Sequence, residues 1–186
     1  MDFAAKFGEG LSYEAFLEAH ATGEQKRRWE AIRAEVRLTD GQIALLRGFR
    51  REMQVLVTAG AWCGDCVDQC PIFDRFAEQN ERLRVRYFDR DAHPDVAEAL
   101  ALCGAPRVPS VLFLSEDGAV CGRYGDRTLA KYRRMAADQL GAACPTGLVL
   151  PDDDLRGAVV QEWLDEFERI QLMLRTSARL RERHGD

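Results

Sequence analysis

Two cysteines three positions apart, Cys63 and Cys66 in Trp62-Cys63-Gly64-Asp65-Cys66, are the residues of this chain best suited to chemistry. A pair with this spacing serves one of two purposes. As thiolates the sulfurs can join two further ligands around a zinc ion. At the start of a helix they can instead exchange disulfides. Free amide N–H groups and the positive end of the helix dipole there favour a thiolate on the first cysteine. A second cysteine one turn later can then attack the mixed disulfide formed at the first.

The flanking residues favour exchange. Met53-Gln54-Val55-Leu56-Val57-Thr58 is a short, β-branched run that reads as a buried strand, and Ala59-Gly60-Ala61 carries it into the pair. A helix is expected from about Cys63 to Asn80, with Cys66, Cys70, Phe73 and Phe76 or Ala77 on one face. On this reading Cys63 is the nucleophile and Cys66 resolves. Gly64 leaves the approach to sulfur open, and Trp62 walls one side of the site. Asp65 suits a helix start, yet its charge should disfavour a thiolate at Cys63. Asp65→Asn is therefore expected to lower the Cys63 pKa and make the disulfide more oxidising.

The other candidates carry less. Cys70 reads as a small core residue rather than a relay or metal ligand, and Cys103, Cys121 and Cys144 are scattered and take no role. An iron–sulfur site of Cys63, Cys66, Cys70 and Cys103 fits poorly with helical spacing. His20, His93 and His184 are isolated, with His93-Pro94 placed to begin a helix, and Asp89 and Asp91 read as loop formers. Neither a metal nor a bound cofactor is expected.

The elements that must position the pair follow from periodicity and punctuation. Residues 1–50 read as a helical extension, with capping boxes at Thr22-Gly23-Glu24-Gln25 and Thr39-Asp40-Gly41-Gln42. After the cysteine helix come a strand at 83–89, a helix from Asp95 to Cys103, and strands at 110–114 and 119–124 joined by Glu116-Asp117-Gly118. A helix from Leu129 to Leu140 completes an α/β domain over residues 51–140. Residues 141–186 then supply a linker, through Pro151, and one long amphipathic helix along Leu155, Val159, Trp163, Phe167, Ile170 and Leu174. Asp152 to Asp154 sit at its start, with Arg175, Arg179, Arg181 and Arg183 near its end, the order the helix dipole favours. Its apolar stripe packs on the domain or, alternatively, forms a homodimer face.

Composition narrows the setting. At 186 residues, 46% hydrophobic and 31% charged, the chain is globular rather than disordered. A net charge of −5 without basic blocks argues against nucleic acid. No apolar stretch nears bilayer-spanning length, and the first residues lack a secretory pattern, so no membrane association is expected and the cytoplasm is the expected compartment. In that reducing setting a close cysteine pair is more at home as a reactive site than as a scaffold.

Over residues 50–140 the chain resembles the thioredoxin family. The carriers are Val55-Leu56-Val57, Trp62-Cys63-Gly64-Asp65-Cys66, Asp89 to Pro94, Arg107-Val108-Pro109-Ser110 leading a strand, Asp117-Gly118 and Gly125. The resemblance implies a central mixed sheet flanked by helices and a cis Pro109 facing the cysteines. With that geometry the Val108 backbone is free to pair with an extended client. It also implies reduction of disulfides in client proteins, with electrons from a reductase or small thiol. Four departures stand out: Asp65 where Pro is common, Val57 in place of a buried Asp, Tyr87 in place of a partner Lys, and the two helical extensions. The alternative is a redox-responsive binding module in which the pair is a switch without turnover.

Overall fold

The computed structural model describes residues 1–140 and 154–185. In chain order its elements are α1 (Phe3–Phe7), α2 (Tyr13–His20), α3 (Gly23–Glu35), α4 (Asp40–Arg47), β1 (Met53–Ala59), α5 (Gly64–Ala77) and β2 (Leu83–Asp89). There follow α6 (Pro94–Ala99), β3 (Ser110–Ser115), β4 (Val120–Gly125), α7 (Leu129–Leu140), α8 (Leu155–Thr176) and α9 (Ala178–His184). The sheet order is β2-β1-β3-β4, with β1 parallel to β2 and antiparallel to β3, and β4 antiparallel to β3. This is the expected thioredoxin-like architecture, a mixed sheet flanked by helices with helical additions at both ends.

Strand alternation splits the core between two faces. Val55, Val57, Val111, Phe113, Val85 and Tyr87 join Trp29, Phe73, Trp163 and Phe167 in the larger cluster. Leu56, Leu112, Leu114 and Phe88 pack with Phe7, Val96 and Leu100 in the smaller one. The N-terminal segment is built into this core: Leu11 pairs with Tyr87 beside β2, and Tyr13, Phe16 and Trp29 are buried. Both expected capping boxes form, Thr22 with Gln25 and Thr39 with Gln42. Gly118 takes the positive φ that the β3–β4 turn requires.

Two expectations change. The helix after Pro94 ends at Ala99 rather than Cys103, because Leu102 and Ala105 pair across a turn in which Cys103 and Gly104 both have positive φ. The long C-terminal helix is two helices. Ser177 is extended and its hydroxyl accepts the Leu180 N–H, capping α9. Arg179 and Arg183 therefore do not extend the α8 terminus but hold Asp117 in the β3–β4 turn. The apolar stripe of α8 is buried within the chain, with Trp163, Phe167 and Ile170 fully covered. The expected linker at 141–151 and Cys144 lie outside the described residues. Among those described, no helix is long and apolar enough to cross a membrane.

Candidate functional site

At its C-terminal end β1 runs through a short turn into α5, and Cys63 is the N-cap of that helix. The turn is tight. The Cys63 N–H donates to the Gly60 carbonyl at 3.0 Å, and a Cβ at Gly60 would stand 2.7 Å from the Trp62 indole, so only glycine lets that ring lie back over the turn. Trp62 is 45% exposed, with the Arg90 guanidinium 4.5 Å above its ring. A side chain at Gly64 would meet nothing within 4 Å, so the space above the cysteines is open.

Cys63 is half-buried and Cys66 fully buried one turn on, both as free thiols. The Cys63 thiol donates to the Val108 carbonyl at 3.5 Å, and the Gly60 N–H reaches the Cys66 sulfur at 3.5 Å. The Val108–Pro109 bond is cis, as the resemblance implies, and it places the Val108 backbone across from Cys63. The end of β4 closes on this loop, where a Cβ at Gly125 would lie 2.5 Å from the Pro109 carbonyl oxygen. Trp62, Cys63, Gly64, Asp65, Cys66, Val108 and Pro109 thus meet at one end of the sheet.

The hydrogen bond to Cys66, followed by burial, pushes the Cys63 thiol up, while the amides of Cys66 and Asp65 pull it down. Burial pushes Cys66 up. The Cys63 sulfur is the one that solvent reaches, with the amides of Cys66 and Asp65 pointing at it, whereas the buried Cys66 sulfur has the Gly60 N–H beside it.

Asp65 differs from the lone carboxylate expected from sequence. Its two oxygens pair with Arg127 at 2.5 Å and Lys131 at 2.8 Å, and Lys131 also holds Asp68 at 2.6 Å. Next to Arg127, the buried Asp126 accepts from Arg127 at 3.0 Å, from Arg107 at 3.2 Å and from the Tyr132 hydroxyl. Burial alone would push Asp126 up. The Tyr132 bond, its own backbone N–H and the two arginines outweigh that and hold it below the ordinary carboxylate value. Asp126 and Arg127 thereby link the cis-proline loop, through Arg107, to the cysteine turn, through Asp65.

These supporting residues were not singled out from sequence, because nothing local marks them. Arg127 and Lys131 lie more than 60 positions from Asp65 and meet it only through the fold. Val57 and Tyr87, the other departures, are buried; the Tyr87 hydroxyl donates to the Cys70 carbonyl at 3.0 Å, which fixes the cysteine helix against β2. Asp89 forms a loop, accepting from the amides of Asp91 and Ala92, each at 3.0 Å. Cys103 lies in the exposed turn after α6, and no group of three or more metal-ligating side chains occurs among the described residues.

Comparison with known proteins places the chain in a family and matches its fold. A family model described as thioredoxin matches residues 10–138, a span that takes in α2, α3 and α4 as well as the sheet. A Streptomyces coelicolor protein named "Putative thioredoxin 2" is 28% identical over 101 residues, 54% of this chain and 67% of that protein. The crystal structure of PA1234, a Pseudomonas aeruginosa protein of unknown function, superposes with a TM-score of 0.70 at 20% identity over 91% of this chain and 96% of its own. An HIV epitope-scaffold structure gives 0.64 at 20% identity over 90% and 99%. At such identity the two structures speak to the fold alone.

Proposed function

The chain belongs to the thioredoxin family, and on that premise we propose that it is a thiol–disulfide oxidoreductase that reduces disulfides in client proteins through Cys63 and Cys66. The observation that carries this reading is the half-buried Cys63 thiol at the N-cap of α5, with buried Cys66 one turn behind it and the cis Val108–Pro109 backbone before it.

The Cys63 thiolate attacks one sulfur of the client disulfide. A Cys63–client bond forms, the client S–S bond breaks, and the second client sulfur leaves as a thiolate that takes a proton from water. When Cys63 ionises it stops donating to the Val108 carbonyl, which becomes free to accept an N–H from an extended client segment. Cys66 then attacks the Cys63 sulfur. The client leaves as its second thiol, having taken two electrons, and the Cys63–Cys66 disulfide holds the oxidising equivalents. With Val57 beneath the pair there is no carboxylate at that position to take the Cys66 proton, so the departing client sulfur or water receives it, while the Gly60 N–H stabilises the Cys66 anion. A reductase or a small thiol returns the enzyme to its dithiol form. The cytoplasm is the compartment this reading assigns, since the forward reaction needs a reducing supply.

The test is catalytic reduction of a peptide disulfide with dithiothreitol as electron source. Turnover above the dithiothreitol background, abolished in Cys63→Ser, supports the proposal. Reduction that never exceeds background, with client binding that tracks the oxidation state, would instead establish a binding module with a thiol switch.

A further inference from the structure

Gln69 is a fully buried amide in α5, three residues beyond Cys66, and both its N–H bonds and its carbonyl oxygen are used. Its Nε2 donates to the Asp126 carbonyl at 3.0 Å and to the Asp65 carbonyl at 3.2 Å, and its Oε1 accepts from the Trp163 indole at 3.0 Å. Trp163 belongs to α8, is itself fully buried, and sits edge-on to Phe73 and Tyr124 at 4.5 and 5.0 Å. One amide therefore joins the C-terminal addition, the cysteine helix and the loop between β4 and α7.

A methionine or leucine would fill the same space with no hydrogen bonds to satisfy. A buried amide differs in that its directional bonds fix relative positions, and a fully satisfied network of this kind is stiff. Those positions matter here because the Asp126 carboxylate holds Arg107 and Arg127, and Arg127 holds Asp65 at the first turn of α5.

We propose that Gln69, backed by Trp163, is a positioning residue that holds the Asp126–Arg127 loop against the cysteine turn, so that Asp65 stays neutralised and Cys63 is free to ionise. The inference rests on Cys63 being the reacting thiol. The charged groups around the cysteine turn are Asp65 and Asp68 on α5, Arg127 and Lys131 from the loop and α7, and Asp126 behind them. Arg107 lies on the cis-proline loop, and Arg90 lies above Trp62, where it pairs with Asp91 at 2.9 Å. If the loop drifts, Asp65 is the carboxylate left nearest the cysteines without its full complement of cations.

The test is the rate of iodoacetamide alkylation of Cys63 against pH in the reduced full-length chain, read by peptide mass spectrometry so that other cysteines do not contribute. Gln69→Met should alkylate about three- to fivefold more slowly near pH 7, the leverage of about one net hydrogen bond, and should converge with the wild type at high pH. Trp163→Phe should shift the profile the same way by less, and the double variant should fall short of the sum. A folded Gln69→Met with a wild-type profile overturns the proposal. Should Gln69→Met fail to fold, Trp163→Phe decides: a slower profile supports the assignment and a wild-type profile overturns it. Because alkylation needs no turnover, a chain that fails to reduce disulfides would refute the reductase reading while leaving the role of Gln69 to be judged by these rates.

Discussion

Trp29 offers the most quantitative test of how the N-terminal helices support the cysteines. Its indole N–H donates to the Ala61 carbonyl at 3.0 Å, one residue before Trp62-Cys63, and both residues are buried. Its ring also packs on Tyr13 and Phe16, with centroids 5.8 and 5.7 Å away. Trp29→Phe keeps an aromatic ring but leaves a buried carbonyl unpaired, which costs about 1–3 kcal/mol. Losing roughly 40 Å³ of ring volume adds about 1 kcal/mol. A total of about 3 kcal/mol lowers the Tm by about 6–12 °C in a chain of this size. Thermal unfolding followed by circular dichroism measures this directly, with Trp62→Phe as the control. Trp62 is 45% exposed and pairs with Arg90, so its substitution should cost less than about 1 kcal/mol. If Trp29→Phe melts within about 2 °C of the wild type, the helical extension does not support the cysteine turn through this bond.

Three further outcomes follow from the same contacts. Asp65→Asn should speed Cys63 alkylation below neutral pH, because a carboxylate two residues from the thiol is removed while Arg127 and Lys131 remain, held by Asp126 and Asp68; slower alkylation would contradict the charge argument. Cys70 is fully buried in the core, so Cys70→Ala should lower the Tm by a few degrees and leave disulfide turnover intact, whereas loss of turnover would give Cys70 a redox role. The Arg179 and Ser115 bonds hold Asp117 well below the usual carboxylate range, so its stabilising effect is complete above the ordinary Asp value and fades as acid protonates first the unfolded and then the folded chain. The Tm gap between wild type and Asp117→Asn should accordingly be full near neutrality and close in strong acid; a gap that widens in acid would refute the assignment.

Local signals in the sequence account for much of this fold. The strand over 83–89, the two capping boxes, the Asp117-Gly118 hairpin and the cysteine helix are set by neighbours a few residues apart, and each forms where periodicity and turn chemistry place it. The break at Ser177 was hidden because neither proline nor glycine marks it; the extended Ser177, its hydroxyl accepting the Leu180 amide, ends the first helix and caps the second. The placement of the cysteine pair at the start of a helix and its cis-proline neighbour were likewise legible, as a motif and a resemblance. Their electrostatic surroundings were not. Asp65 reads as an unshielded charge until the fold brings Arg127 and Lys131 to it, and Gln69 looks like an ordinary polar position on a helix until Trp163 and Asp126 close around it. Nothing local marks the bond from Trp29 to Ala61, 32 positions away, which depends on how α3 packs against α5.

Capture of a client by Cys66→Ser tests the central claim most directly. With the resolving thiol gone, the mixed disulfide formed on attack cannot be released from within. Incubating the reduced variant with a peptide disulfide and mapping the adduct by mass spectrometry should find the peptide joined to Cys63, with none captured by Cys63→Ser. A stable adduct at another cysteine, or no adduct on Cys66→Ser while the peptide is still reduced by the wild type, would contradict the ordered roles assigned to Cys63 and Cys66.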